Sequence, residues 1–328
     1  MSNKPKILVA RAIFPDQLAK LEESFEVRSN QADQVFTPEE LQKELSNVVG
    51  ALVTGSERID ASTLADAQSL KIVANIAVGY NNFDVPAITA AGVMASNTPG
   101  VLTDTTADFG FALLMATARR ITESEHWIRN GQWDQWSIVH NPLGMDLHHS
   151  TLGIIGMGRI GQGIAKRALG FGMKVIYHNR SRLPEADEKA CGATYVSKEE
   201  LLRTADHVVL VLPYTPQNHH TIGAKEIALM KPTATLVNIA RGGIVDDMAL
   251  AQALKEKKIF AAGLDVFEGE PKVNPELLKL SNIVLAPHIA SASEKTRRAM
   301  VDLAADNLRA ALAGQKPPSL INTELLKS

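Results

Sequence analysis

The chain has 328 residues, of which 45% are hydrophobic and 5% aromatic, and its formal net charge is −2 at pH 7. This balance argues against nucleic acid or an anionic membrane surface as a partner, and no apolar stretch is long enough to span a bilayer. Cys191 is the only cysteine, which excludes a disulfide framework and a cysteine metal site. No signal-peptide pattern precedes the first apolar run, so we expect a cytoplasmic protein with room for two domains.

The first hundred residues alternate between short apolar runs and helical patterns. Thr37 predicts a helix start, because Pro38 and Glu40 follow it at the spacing of a capping box. Strand–helix alternation predicts a parallel sheet covered by helices on both faces. Strands are predicted at residues 6–9, 48–53, 72–75 and 93–95, and further helices at 16–25, 61–67 and 85–91.

A single helical pattern runs from residue 104 to about residue 130, after a turn at 97–100 that indicates a crossover between domains. At ~1.5 Å per residue such a helix would span about 40 Å, which is longer than one small domain needs. We therefore expect it to contact another domain or subunit, and we expect a homodimer. Trp127, Trp133 and Trp136 lie near its end and fit either a hydrophobic corner or the edge of an interface or substrate site.

Residues 151–182 carry the strongest motif of the chain. A buried strand at 152–155 leads into a G-x-G-x-x-G spacing, a helical pattern and a second strand at 175–177. In such a unit Gly156 makes the tight turn, Gly158 lets the backbone approach a pyrophosphate, and Gly161 lets the helix pack on the strand. The spacing alone also occurs in turns that bind nothing, but this context predicts a dinucleotide site. The loop comprises Gly156, Met157, Gly158, Arg159, Ile160 and Gly161.

The residues after the second strand indicate which dinucleotide is preferred. NAD sites place an acidic residue there, which binds the ribose and repels a 2′-phosphate. This chain has Asn179, Arg180, Ser181 and Arg182 instead, and two guanidinium groups with a hydroxyl can hold a phosphate. The sequence therefore predicts NADP(H) over NAD(H), with a solvated basic turn as the alternative.

Polar residues end three later predicted strands, at 235–239, 261–266 and 283–286. Ligands of parallel sheets bind beyond the carboxyl ends of the strands, which is where Arg241, Asp265 and His288 follow. A 2-oxo acid needs a bidentate partner for its carboxylate, which Arg241 supplies, and a proton donor, which His288 supplies. Glu270 would orient His288, and Asp265 would bond the nicotinamide carboxamide or tune the site. Each residue also has an alternative without a catalytic role: a surface ion pair for Arg241, a satisfied loop histidine for His288 and a solvated turn acid for Glu270.

Two further stretches bear on ligands. Backbone N–H groups of Val78 and Gly79, after a predicted strand, can bind the substrate carboxylate opposite Arg241, although a plain turn is the alternative. His148 and His149 have no further ligands at a suitable spacing, so we read them as solvated linker residues and predict no metal.

With these residues in place, the chain resembles the D-2-hydroxyacid dehydrogenase family, and within it the glyoxylate/hydroxypyruvate reductases, including members that also reduce 2-ketogluconate. The resemblance covers nearly the whole chain and rests on specific motifs in the same order. They are residues 77–84 (AVGYNNFD), 105–108 (TTAD), the Gly156–Gly161 loop, 238–242 (NIARG), 263–268 (GLDVFE), 270–271 (EP) and 286–289 (APHI).

The resemblance implies two doubly wound α/β domains, with a Rossmann-type NAD(P)-binding domain at 102–290 inserted into a flavodoxin-like substrate-binding domain at 1–101 and 291–328. It implies a homodimer joined mainly through the cofactor domains. It also implies Arg241, Glu270 and His288 as the catalytic set, with Thr106, Leu212, Pro213, Ile239 and Asp265 lining the cofactor.

The expected activity is the NADPH-preferring reduction of glyoxylate to glycolate and of hydroxypyruvate to D-glycerate, by hydride transfer with His288 as the general acid. Glu270 argues against formate, because formate dehydrogenases of this family carry Gln there. Two alternatives stay open. One is an NAD-dependent dehydrogenase for a bulkier acid such as 2-ketogluconate, and the other is a non-catalytic dinucleotide sensor similar to the corepressors related to the family.

Overall fold

The computed structural model describes residues 4–326. The chain divides into two compact units, Met1–Leu102 with Ala292–Ser328, and Thr103–Ser291. The strands are β1 (Lys6–Val9), β2 (Glu26–Ser29), β3 (Gly50–Val53), β4 (Ile72–Asn75), β5 (Met94–Ser96), β6 (Thr151–Ile155), β7 (Lys174–His178), β8 (Ala193–Tyr195), β9 (His207–Leu210), β10 (Thr235–Asn238), β11 (Ala261–Leu264) and β12 (Ile283–Leu285). The helices are α1 (Pro15–Glu22), α2 (Pro38–Leu45), α3 (Val85–Ala90), α4 (Thr103–Ala118), α5 (Ile121–Arg129), α6 (Arg159–Leu169), α7 (Glu185–Cys191), α8 (Lys198–Thr204), α9 (Ala224–Ile227), α10 (Asp247–Lys255), α11 (Pro275–Leu278) and α12 (Glu294–Leu312).

The unit formed by the two ends of the chain contains a five-stranded parallel sheet in the order β2-β1-β3-β4-β5. This is the order of flavodoxin-like folds. The last residues hold its outer strand: Ile321 N–H donates to Ala95 O at 2.7 Å, and the buried amide of Asn322 accepts from Ala95 N–H at 2.8 Å. The C-terminal segment is therefore part of this unit, packed beside β5.

The larger unit contains a seven-stranded parallel sheet in the order β12-β11-β10-β9-β6-β7-β8. Counted from β6, this is the 3-2-1-4-5-6 order of dinucleotide-binding folds with one strand added at the edge. Helix α4 packs on it through buried residues such as Leu113, and Gly263 allows the close approach, because a Cβ there would overlap the Thr117 hydroxyl. The predicted fold class, two parallel α/β units, is confirmed.

The prediction of a single helix over residues 104–130 is wrong, because the helix is interrupted between α4 and α5. Arg120 adopts a left-handed conformation at φ 53°, and its guanidinium binds Glu123 one turn later at 2.6 and 2.7 Å. The Ala118 carbonyl meanwhile accepts from Met145 N–H at 2.8 Å. The Ala118–Met145 bond joins residues 27 positions apart, so a local pattern does not reveal it. Since the 40 Å helix does not exist, it gives no support to a subunit contact.

The helix predicted at 61–67 is also wrong, since these residues form turns. The Asp60 carboxylate accepts from the Ser62 hydroxyl at 2.6 Å and from the backbone N–H of Ser62 and Thr63. Bonds of this kind compete with helix formation, and they hold the pKa of Asp60 down to about 2, the Ser62 hydroxyl having the largest effect.

The capping box at Thr37 is confirmed. Strands β2 and β8 and helices α7 and α8 had no counterpart in the sequence analysis, and no helix within residues 4–326 is long and apolar enough to cross a membrane.

Candidate active site

Five loops of the larger unit begin at the same edge of its sheet. The register pairs Leu210 with both Ile155 and Asn238, and Leu264 with both Asn238 and Leu285. These are the final residues of β6, β9, β10, β11 and β12, so the loops that follow them start side by side. In parallel sheets this edge is where ligands bind.

The loop after β6 has the form of a phosphate cradle. Gly156 has φ +104°, and a Cβ there would lie 2.5 Å from Val211 O, so only glycine fits. A Cβ on Gly161 would overlap the Gly156 carbonyl, whereas one on Gly158 would meet nothing within 4 Å. Gly158 is the N-cap of α6 and no side chain caps this helix. The backbone N–H groups of the first turn are therefore available to a pyrophosphate, and the residues present fit a dinucleotide.

The four residues after β7 have different partners. The Asn179 amide oxygen accepts from Met157 N–H at 2.7 Å and so braces the glycine loop. Arg182 forms two hydrogen bonds with Glu188, at 2.7 and 2.8 Å, and Tyr177 donates its hydroxyl to the same carboxylate at 2.6 Å. Arg182 first and Tyr177 second hold the pKa of Glu188 down to about 2. Both arginines are exposed, but among residues 4–326 only Arg182 has a carboxylate partner, which leaves the guanidinium of Arg180 beside Ser181 without one.

The other predicted cofactor residues lie around the same edge. Thr106 is on the first turns of α4, beside α6, and its buried hydroxyl has no hydrogen-bond partner among the described residues. Leu212 and Pro213 are in the loop after β9, and Ile239, largely buried, directly follows β10. An orphaned buried hydroxyl is typical of a group that meets a ligand.

Arg241, Glu270 and His288 come together at this edge. Asn238 holds the turn after β10, since its amide donates to Arg241 O at 3.1 Å and accepts from Ala240 N–H at 3.0 Å. His288 Nδ1 lies 2.9 Å from Glu270 Oε1. Burial alone would raise the pKa of Glu270, but the hydrogen bond and charge of His288, with a smaller effect of Arg241, lower it overall. Burial lowers the pKa of Arg241, and Glu270 opposes this shift.

Asp265 has a role that the sequence analysis missed. Its fully buried carboxylate accepts from the N–H groups of Ile289 and Ala290 at 2.8 and 2.9 Å, and its carbonyl accepts from His288 N–H at 2.9 Å. Burial raises the pKa of Asp265. These bonds hold His288 in a left-handed conformation at φ 55°, so Asp265 positions the loop that carries this imidazole. The position of Asp265 at a strand end was visible in the sequence, but its partners were not.

Val78 and Gly79 belong to the other unit, in the loop after β4. Their carbonyls accept from the side-chain amides of Asn97 and Asn75, at 2.8 and 3.1 Å. The two amides thus fix the orientation of this short loop.

Residues 111–290 match the family model of the D-isomer specific 2-hydroxyacid dehydrogenase NAD-binding domain. The chain belongs to this family. It is 48% identical to a glyoxylate reductase of Thermococcus kodakarensis over 327 residues, which cover 99% of this chain and 98% of that protein. The family match places an NAD(P)-binding domain around the glycine loop described above.

Solved structures agree with this family. A putative D-isomer specific 2-hydroxyacid dehydrogenase from Polaromonas has a TM-score of 0.90 at 37% identity, covering 97% of this chain and 100% of that one. An NADPH-dependent glyoxylate/hydroxypyruvate reductase from Sinorhizobium meliloti, in complex with NADP and malonate, has a TM-score of 0.86 at 34% identity, covering 98% and 97%. The protein is an NAD(P)-dependent oxidoreductase that reduces 2-oxo acids and uses a nicotinamide dinucleotide.

We expect Gly158→Val to weaken dinucleotide binding without unfolding the protein. The new side chain meets no protein atom near its Cβ, but it fills the space in which a pyrophosphate would approach the backbone. The dissociation constants of NADH and NADPH, measured by fluorescence titration, should rise about tenfold or more, while the melting temperature stays within about 2 °C of the parent. Gly223→Ala, whose Cβ would also have room, is the matched control. Unchanged affinity in Gly158→Val would exclude this loop as the pyrophosphate site.

Proposed function

We propose that the protein is an NADPH-preferring reductase of short 2-oxo acids, converting glyoxylate to glycolate and hydroxypyruvate to D-glycerate. The observation that carries this proposal is the Glu270–His288 pair at 2.9 Å, beside Arg241 and at the sheet edge that bears the glycine loop. The similarity to glyoxylate reductases adds support for the substrate.

Each side chain of this set has its own role in the proposed reaction. Arg241, fixed by a hydrogen bond from Nη1 to Ala240 O at 2.7 Å, binds the substrate carboxylate and polarises the adjacent carbonyl. Glu270 engages Nδ1 of His288 and leaves Nε2 to donate a proton to the carbonyl oxygen as it becomes an alkoxide. When bound, the reduced nicotinamide supplies the hydride. Asp265 positions His288 through the backbone.

We further propose that residues 1–101 and 291–328 form the substrate-binding domain and that residues 102–290 form the dinucleotide-binding domain. Within the substrate-binding domain, the backbone N–H groups of Val78 and Gly79 bind the substrate carboxylate. The carbonyl that shares a peptide plane with each donor is held in place, because Ala77 O accepts from Thr98 N–H at 2.9 Å and Val78 O accepts from the Asn97 amide at 2.8 Å.

The preference for NADPH rests on Arg180 and Ser181. Both are exposed beyond β7, and no acidic residue stands among 179–182 to repel a 2′-phosphate. Arg182 shares its charge with Glu188, so in this proposal Arg180 makes the main phosphate contact. The Sinorhizobium relative is NADPH-dependent, which is consistent with this choice.

We also propose a homodimer formed through the segment at residues 121–143 of the larger unit. Helix α5 buries no residue within this unit. Six large apolar side chains of the segment are more than half exposed, and an exposed apolar surface of this kind is typical of a protein interface. They are Ile121 at 53%, Ile128 at 55%, Trp136 at 72%, Ile138 at 73%, Val139 at 65% and Leu143 at 58%.

The activity is tested by initial rates with glyoxylate and with hydroxypyruvate. Arg241→Ala should lower kcat/KM at least about a hundredfold, since it removes the bidentate partner of the carboxylate. Arg241→Lys should recover only part of that loss, because an ammonium cannot form two parallel bonds. His288→Ala should lower kcat about 10²–10⁴-fold while NADPH still binds.

His148→Ala, at an exposed histidine outside the catalytic set and outside residues 121–143, is the control and should keep parental rates. A fully active His288→Ala variant would remove this residue from the mechanism. No turnover of either acid by the parent would point to a bulkier substrate such as 2-ketogluconate, or to a dinucleotide sensor without catalysis.

The cofactor preference is tested by comparing kcat/KM for NADPH and NADH. The parent should favour NADPH, and Arg180→Ala should reduce the preference about tenfold or more, because a charge-assisted hydrogen bond is lost. Arg182→Ala should change it less, since this guanidinium serves Glu188. Lys189→Ala, an exposed cation on α7, is the matched control. Equal rates with NADH in the parent would identify residues 179–182 as a solvated turn.

The dimer is tested by light scattering after size-exclusion chromatography. The parent should have the mass of two chains, and Trp136→Glu/Ile138→Glu should have the mass of one, because carboxylates cannot be buried unpaired in an interface. Val35→Glu, at an apolar side chain that is 59% exposed in the other unit, should remain dimeric. A monomeric parent contradicts the proposal.

A further inference from the structure

A second cluster of reactive side chains lies outside the Arg241–Glu270–His288 set. His219 and His220 are in the loop after β9, and Glu268 is in the loop after β11. We propose that these three residues bind a divalent first-row transition metal ion such as Zn²⁺. This inference does not depend on the reductase activity, because it concerns side chains to which that reaction assigns no role.

The three side chains point their ligand atoms at one place. His220 Nε2 lies 3.2 Å from Glu268 Oε1, and His219 Nε2 lies 3.9 Å from the same oxygen. All three ligand atoms are within 4.8 Å of one another. Ligands at ~2.0–2.2 Å from a Zn²⁺ ion are about 3–4 Å apart, so small side-chain rotations suffice to close this set around an ion.

The two imidazole rings are stacked. The ring centroids of His219 and His220 are 3.8 Å apart, with an interplanar angle of 23°. This arrangement directs the Nε2 atoms of both rings towards Glu268 Oε1. Neutral imidazole is the form that binds a metal, and two imidazoles with one carboxylate favour Zn²⁺ and its neighbours over Mg²⁺ or Ca²⁺.

The outer nitrogen of each ring also faces a polar partner. Nδ1 of His219 lies 3.3 Å from the Tyr214 hydroxyl, and Nδ1 of His220 lies 3.8 Å from Asp246 Oδ2. Metal-binding histidines usually have their second nitrogen near a carboxylate or another polar group, which fixes the tautomer and the ring orientation. Here that arrangement leaves both Nε2 atoms to the ion.

The backbone holds the pair in place before any ion binds. His220 adopts a left-handed conformation at φ 49°, and its N–H donates to Gly243 O at 2.7 Å. A side chain at Gly243 would press on Tyr214 and His219, with its Cβ 3.1 Å and 3.2 Å from them. Non-glycine residues in this conformation are uncommon and cluster at functional sites.

An ion here would join the loops that carry the candidate active site. Glu268 is two residues before Glu270, Gly243 is two residues after Arg241, and Tyr214 directly follows Pro213. Binding would cross-link the loop after β9 to the loop after β11, with the loop after β10 between them. We infer that the ion stabilises this edge of the sheet, so its effect appears in thermal stability as well as in direct binding.

The experiment uses untagged full-length protein freed of metal with a chelator. Co²⁺ is titrated and followed by its visible absorption, and Zn²⁺ is titrated by calorimetry. The parent should bind one ion per chain, and His219→Ala, His220→Ala and Glu268→Gln should each bind at least about tenfold more weakly. The melting temperature of the parent should rise with Zn²⁺ concentration, and that of His219→Ala/His220→Ala should not.

The chain provides a matched control in a second adjacent pair. His148 and His149 have rings 5.5 Å apart at 83°, and among the described residues no carboxylate completes a three-ligand group with them. His148→Ala/His149→Ala should bind ions as the parent does. Loss of binding in this control, or parental binding in His219→Ala/His220→Ala, would overturn the proposal. A parent that binds neither Co²⁺ nor Zn²⁺ would reduce the cluster to a hydrogen-bonded surface group.

Discussion

The close approach of Gly242 to Phe267 is the constraint on which the candidate active site depends. A Cβ on Gly242 would overlap the carbonyl group of Phe267, so these two loops can touch only because position 242 has no side chain. The contact brings the turn that carries Arg241 against the segment that leads to Glu270. Without it, the partly buried Arg241 and Glu270 would separate, and each would lose an opposite charge that offsets its burial.

Charge in this site is shared rather than paired. Glu270 interacts with both His288 and Arg241, and the balance of these contacts against burial lowers its pKa. The carboxylate therefore stays ionised at neutral pH, where it can hold the imidazole in one tautomer. Asp265 acts differently, because burial raises its pKa and its oxygens bind backbone N–H groups. One carboxylate orients the ring, and the other fixes the backbone from which the ring projects.

The sequence was sufficient to predict the elements whose determinants lie close together along the chain. The glycine spacing in 156–161, its flanking strands and the polar residues after β10, β11 and β12 were all readable, because strand ends in a parallel sheet share one edge. The interruption of the helix near Arg120 was not predicted, since the carbonyl of Ala118 is bound by Met145 N–H, 27 residues away along the chain. The cluster of His219, His220 and Glu268 was not predicted for the same reason. Its two loops are distant along the chain and are brought together by the order of strands in the sheet.

The region after β7 shows how tertiary contacts change the meaning of a motif. In the sequence, Arg180 and Arg182 are equivalent cations beside a predicted ribose site. In the structure, α7 brings Glu188 to Arg182, and the buried Tyr177 hydroxyl donates to the same carboxylate, so this exposed guanidinium already has an ionic partner. Asn179 likewise braces Met157. The position at which an acidic residue would favour NAD thus carries a structural amide, and the two exposed arginines after it differ in that Arg182 is already bound to Glu188.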